Sequence, residues 1–175
     1  MNIDDECWGV IWPTRISSRY HARRQAFFET WSRVTAAVGV VFGSSAVATA
    51  IAQVHTPTWL LTVSGVIMTI AATVDLIVGT AAMARRHDDL RKRFMQLEAR
   101  IETTTTPTEA DVAGWRAERI AIELDEPPRY VGLALLCENE LGRATQGVGP
   151  RTKVRWIVST TAHWFRWPNE HALPV

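Results

Sequence analysis

Val34-Thr35-Ala36-Ala37-Val38-Gly39-Val40-Val41-Phe42-Gly43-Ser44-Ser45-Ala46-Val47-Ala48-Thr49-Ala50-Ile51-Ala52-Gln53-Val54 runs without a formal charge, and a second apolar stretch, Trp59–Ala84, carries only Asp75. A bilayer hydrocarbon core about 30 Å thick takes about 20 apolar helical residues to cross, and both stretches meet that length. Between them His55-Thr56-Pro57-Thr58 ends the first helix, because proline has no amide donor and clashes with the turn before it. Two helices joined by so short a link run antiparallel. Two core helices of a water-soluble protein are the competing reading, but the remaining chain is too short to wrap both on every side. The expected fold is an all-α integral membrane protein: transmembrane helices over 31–54 and 59–84, forming a two-helix hairpin, with a cytoplasmic helical region.

The charge pattern orients this hairpin. Arg15, Arg19, Arg23, Arg24 and Arg33 precede the first span, and Arg85, Arg86, Arg91, Lys92 and Arg93 follow the second. The link between them has no Lys or Arg, so the positive-inside rule puts both termini in the cytoplasm. Ala50-Ile51-Ala52 has the small-residue pattern of a signal-peptidase site, but the segment before it is far too long for a signal peptide, which makes the first span an uncleaved anchor. The formal net charge of the 175 residues is +1, which gives no basic face for nucleic acid. Cys7 and Cys137 are too few for a disulfide framework or a zinc site.

Outside the spans, residues 1–30 are expected to form an amphipathic cytoplasmic segment, entered after Trp12-Pro13. Residues 85–145 read as cytoplasmic helices. Leu90, Phe94, Leu97 and Ile101 recur at spacings of four, three and four, a narrow stripe suited either to a seam between copies or to packing within one chain. Thr103–Thr106 and Pro107 end that helix. Thr108 and Asp111 have the spacing of a capping box, starting a helix that runs to about Asp125. Pro127-Pro128 stops it and opens the next helix, which carries Tyr130, Leu133, Ala134, Cys137, Leu141 and Ala144 on one face. Gln146–Pro150 is a loop. A last amphipathic helix is expected within 151–167, with Arg155, Ser159, His163 and Arg166 on one arc and Val154, Ile157, Val158, Trp164, Phe165 and Trp167 around the rest. It suits either the membrane interface or packing on the cytoplasmic helices.

No catalytic constellation emerges. There is no phosphate-cradling loop, His-Glu-x-x-His helix or nucleophile elbow, and the five histidines are scattered without ligand spacing. Glu138 and Glu140 stand two apart on a helix and point away from each other, a poor acid–base pair. The expectation is a protein that is not an enzyme and holds no cofactor or metal. Asp75 is the informative polar residue, since a carboxylate inside a span costs about 2.5–3.5 kcal/mol on insertion scales. Ala71, Ala72 and Gly79 lie one turn away. Gly39 and Gly43 form a GxxxG face that lets helices approach closely. Asp75 is a candidate for the lining of a pore or, equally, for structural glue bonded to Thr73, Ser64, Ser44 or Thr49.

Several stretches together resemble the SLATT family, two-transmembrane domains of bacterial conflict and nucleotide-signalling systems. They are Arg19-Tyr20-His21-Ala22-Arg23-Arg24 leading into Phe27-Phe28; Val74-Asp75-Leu76-Ile77-Val78-Gly79; His87-Asp88-Asp89-Leu90-Arg91-Lys92-Arg93-Phe94-Met95-Gln96-Leu97-Glu98; and Glu123-Leu124-Asp125-Glu126-Pro127-Pro128-Arg129-Tyr130, continuing to Leu136-Cys137-Glu138-Asn139-Glu140-Leu141. The most specific residues are Glu126, Pro127, Pro128, Tyr130, Cys137, Asn139 and Glu140. The resemblance implies an effector of the bacterial inner membrane that homo-oligomerises, forms a pore and depolarises the membrane in antiviral defence. It also implies a nucleotide-signalling or sensor protein encoded nearby as its partner. A non-conducting anchor, whose cytoplasmic helices dock a partner protein, is the alternative from a different class.

Overall fold

A computed structural model describes residues 2–52, 58–147, 152–167 and 172–174. The described chain is mostly helical (83%). The described residues form six helices and a small ribbon, in the order α1 (Ile3–Ala52), α2 (Thr58–Val78), α3 (Thr80–Thr103), α4 (Glu109–Leu124), α5 (Val131–Gln146), β1 (Thr152–Val154), α6 (Trp156–Thr161) and β2 (Ala172–Pro174). The chain divides into two compact units: Met1–Arg24 with His87–Val175, and Gln25–Arg86. The link at Gln53–Pro57 and the loop at Val148–Pro150 lie outside the described residues.

In the first unit, the N-terminal part of α1 is held by packing rather than by propensity. Pro13 lies inside α1, where a proline removes one helical hydrogen bond. The helix expected to be entered after Trp12-Pro13 instead begins at Ile3 and runs through the proline to Ala52. Val10 and Ile11 on one side of the proline and Thr14 and Ser17 on the other are all buried. The Thr14 hydroxyl donates to the Val10 carbonyl at 2.8 Å.

The Leu90, Phe94, Leu97 and Ile101 stripe of α3 closes on Val10 and Ile11 of α1 and on Val112, Trp115 and Ile122 of α4. This resolves the open choice made from spacing. The four side chains are consumed by their own chain's core and leave no seam for another copy. Ion pairs fringe that core: Arg15 with Glu98 and Glu102, Arg93 with Asp125, Arg100 with Glu118.

Thr108 and Asp111 form a capping box, each side chain meeting the other's backbone N–H. Helix α4 ends at Leu124, and Pro127-Pro128 lie in the extended link before α5, which starts only after Tyr130. The second proline is thus not a first-turn residue. Its missing donor suits the extended link instead.

The expected helix over 151–167 is corrected more strongly. Thr152–Val154 is a strand, antiparallel to β2 with Lys153 opposite Leu173, and only Trp156–Thr161 is helical. The cause lies in α5. The Asn139 side-chain amide donates to the Thr152 carbonyl at 2.7 Å and accepts from the Thr152 N–H at 3.2 Å. This two-way grip imitates a neighbouring strand and holds the backbone extended.

Helix α6 packs on α5 at Gly132, where a Cβ would come 2.7 Å from Val158 Cγ1. Gly132→Ala is therefore expected to push α6 off α5 and cost about 1–3 kcal/mol. Thermal unfolding of the detergent-solubilised chain measures it, and an unchanged midpoint would contradict the close approach.

The second unit holds the later part of α1, all of α2 and the first turns of α3. The helical run Thr62–Thr103 contains an 18-residue window of mean hydropathy 1.9 of which only 6% is buried. Among the described residues this is the one helix long and apolar enough to cross a membrane. Helix α2 ends at Val78, earlier than the expected boundary at residue 84. Gly79 is left-handed, with φ 60°, a conformation that strains any residue with a Cβ.

Candidate functional sites

Asp75 lies one turn before the Gly79 break. The Gly79 N–H donates to the Asp75 carbonyl at 2.8 Å, and the Met83 N–H donates to the Gly79 carbonyl at 2.9 Å. Helical hydrogen bonding thus continues across the left-handed residue. The Asp75 carboxylate accepts the hydroxyl of Thr80, the first residue of α3. Thr80 is a partner that the sequence reading did not include, and the side chain of Thr49, one of the four hydroxyls expected, lies outside the described residues. Thr80 was missed because it lies five residues away, off the helical neighbour positions, and only the break brings it within reach.

Asp75 also lines a cleft of about 370 Å³ with Ser32, Thr35 and Gly39 of α1 and Met68, Ala71 and Ala72 of α2. Gly39, Ala71 and Ala72 thus fall on the cleft, as small residues near the acid. A Cβ at Gly39 would meet Met68 Cε at 3.8 Å, while one at Gly43 would meet no described atom within 4 Å. Gly79 belongs to the break rather than to a packing face.

The first unit holds a polar junction buried among apolar side chains. Three stretches of the family-like pattern, far apart in sequence, meet in it. His21 on α1 and His87 on α3 are fully buried, and their Nδ1 atoms lie 2.8 Å apart. The other nitrogen of His21, Nε2, lies 3.2 Å from Glu126 Oε1. Arg129 clamps both oxygens of Glu126 and donates to Ser17 Oγ at 2.7 Å. Tyr20 Oη accepts the N–H of Tyr130 at 3.0 Å, fixing the residue that precedes α5. Phe94 stacks on the His21 ring at 5.7 Å.

Burial tends to raise the Glu126 pKa, but the bonds from Arg129 and His21 outweigh it and hold the carboxyl below its ordinary range. Burial also pushes the Tyr20 hydroxyl up. Both groups therefore keep their neutral-pH forms: Glu126 accepts as an anion and Tyr20 stays a neutral phenol.

The remaining residues of the pattern brace this junction. Arg24, buried beside it, donates to the His163 carbonyl at 2.8 Å and lies 4.4 Å over the Tyr130 ring. Glu140 pairs with Arg23. Cys137 is fully buried, and burial pushes its thiol up to about 11, which leaves it an unreactive packing group. Pro127 and Pro128 stiffen the link that carries Glu126 and Arg129.

Sequence reading found these stretches but not their meeting, and it took the histidines as scattered. The signal available was that His21, His87 and Glu126 each sit inside a stretch of the pattern. No group of three or more metal-ligating side chains occurs among the described residues. Comparison with known protein families, with characterised proteins and with solved structures returns no match.

Proposed function

We propose that the chain is a membrane effector whose two apolar helices cross the bilayer as a hairpin, with both termini cytoplasmic. Copies assemble through these helices into a pore that depolarises the membrane in a bacterial defence response. The observation that carries this reading is the bare apolar surface of the Thr62–Thr103 run, 6% buried across its most apolar window. Leu76 is 85% exposed and Ile77 79%. At about 25 cal/mol per Å², such a surface demands a cover that the described residues do not supply. A bilayer supplies it, and Asp75 is the single charge that must then find a polar path or partner. One hairpin has too few helices to enclose water, so conduction requires copies of the chain. A nucleotide-signalling or sensor protein is the proposed trigger, and the reading needs no cofactor and no catalysis.

Topology reporters test the frame of this proposal. Fusions before Asn2 and after Val175 are expected to read as cytoplasmic, and a tag within Gln53–Thr58 as external. An internal reading for that tag excludes the hairpin. Gly43 tests assembly. A Cβ there meets no described atom within 4 Å, so Gly43→Leu is expected to separate neighbouring copies and leave the protomer folded. Native mass spectrometry in mild detergent would show smaller assemblies than the wild type. Monomers for both proteins under activating conditions would remove the pore.

A second reading, the non-conducting anchor, draws support from one detail: the Asp75 carboxylate is already engaged by Thr80.

A further inference from the structure

The junction of His21, His87 and Glu126 has a limited capacity for protons, set by its hydrogen bonds. Glu126 is ionised and accepts, so His21 Nε2 carries the hydrogen that faces it. One proton then lies between the two Nδ1 atoms at 2.8 Å. If His87 provides it, both rings are neutral. If His21 provides it, His21 is an imidazolium bonded at both nitrogens, and His87 carries its own proton on Nε2. With both rings charged, N–H faces N–H and two like charges adjoin in a buried site, so the bond breaks. The junction accepts one added proton and fails on the second.

The surrounding groups reinforce this limit. From α1, Tyr20 is edge-on to both rings, at 5.2 and 6.4 Å, and Arg24 adds positive charge beside it. From α3, Asp88 is held by Arg91 and Lys92. From the link before α5, Arg129 shares Glu126 with His21, and from α4, Glu123 lies 3.9 Å from Arg129. The junction also has a particular place in the chain. Helix α1 leaves the first unit after Arg24 and α3 re-enters it at His87, so the pair ties the two crossing helices together within a turn of both exits.

We propose that His21 and His87 form a proton-controlled clasp on the two helices that connect the units, closed with one added proton or none and opened by two. Acidification of the cytoplasm is then a regulatory input to the membrane effector proposed above, on which this inference rests.

His87→Asn tests it, because the asparagine amide supplies a hydrogen-bonding atom near the position of Nδ1 and does not titrate. The measurement is hydrogen exchange in α1 (14–24) and α3 (87–97) of the full chain in lipid nanodiscs, from pH 7.5 to 5, corrected for intrinsic exchange. Wild-type protection is expected to fall about tenfold or more, and His87→Asn to stay nearly level. His163 adds an acid sensitivity of its own, since burial, with Arg24 and Arg23, pushes its pKa down to about 4. It is present in both proteins, so their difference isolates the clasp. If His87→Asn is unfolded at pH 7.5, Glu126→Gln replaces it: loss of the counter-charge should move the opening to higher pH. The same pH course in His87→Asn and wild type overturns the clasp, as does an unmoved midpoint in Glu126→Gln. Absent ion flux from liposomes, with the exchange difference intact, would instead count against the pore alone.

Discussion

Arg129→Ala is expected to be among the most damaging single substitutions in the first unit, costing about 3 kcal/mol. It strands the Glu126 carboxylate, whose side chain is 6% exposed, with His21 as the remaining side-chain partner among the described residues. Arg129 itself is 34% exposed, and water screening of that end places the cost at the low end of the range for breaking a buried pair. Hydrogen-exchange protection in α5 should fall by about 100-fold at pH 7, the equivalent of roughly 3 kcal/mol.

The loss should also depend on pH. In the wild type, the Glu126 pKa is depressed on folding, so its contribution is present above the unfolded value and is lost as pH falls through the folded one. Without Arg129, burial dominates and the folded state takes up a proton before the unfolded chain does. The gap between wild type and variant should therefore narrow on acidification from pH 7 toward about 4. A gap that stays constant across this window would mean that Arg129 acts through its packing and not through Glu126.

Asp75 carries the second large effect, and here three substitutions are needed because the acid has a partner. Asp75→Asn keeps an oxygen for the Thr80 hydroxyl and removes the charge. Asp75→Leu removes both, and Thr80→Val removes the bond while leaving the acid. If Asp75 faces the water of a pore, Asp75→Asn should assemble normally and lose roughly fivefold to tenfold in cation-over-anion permeability. That is on the order of 1 kcal/mol, one unit charge at about 4 Å in water. Thr80→Val should then conduct. If the acid only secures the Gly79 break, Asp75→Asn should match wild type, while Asp75→Leu and Thr80→Val fail together. Planar-bilayer recordings on purified protein separate the two patterns.

How far the fold was legible in the sequence depended on the range of the interactions involved. The Thr108–Asp111 capping box is local, three residues wide, and could be read directly. So could the long apolar run, where composition alone decides. The stop before Glu126 was legible for the same reason, because proline acts on its own turn.

The errors lie where distant residues overrule local preference. Pro13 reads as a boundary, but α3 and α4 pack on Val10 and Ile11 before it and α5 packs on Ile16 and Tyr20 after it, which keeps the helix whole. Thr152–Val154 reads as helical until Asn139 takes its backbone. The Leu90–Ile101 stripe shows its periodicity but not its partner, since spacing says which side chains share a face and never what covers them. The site followed the same rule: Asp75 was visible as an isolated acid in an apolar stretch, whereas the His21–His87 contact joins residues 66 apart, a separation at which no periodicity connects them.

The order of synthesis gives the discontinuous first unit one more property. Tyr20 meets Tyr130 across 110 residues, and Arg24 meets His163 across 139. At translation rates of about 5–20 residues per second, Tyr20 and Arg24 wait roughly 5–30 s before these partners exist. During that wait Tyr20, His21 and Arg24 have only water, or a chaperone, for company, and the apolar run between Val34 and Val78 emerges from the ribosome first. The apolar segment of the nascent chain is thus already made while the first unit is still missing its other half.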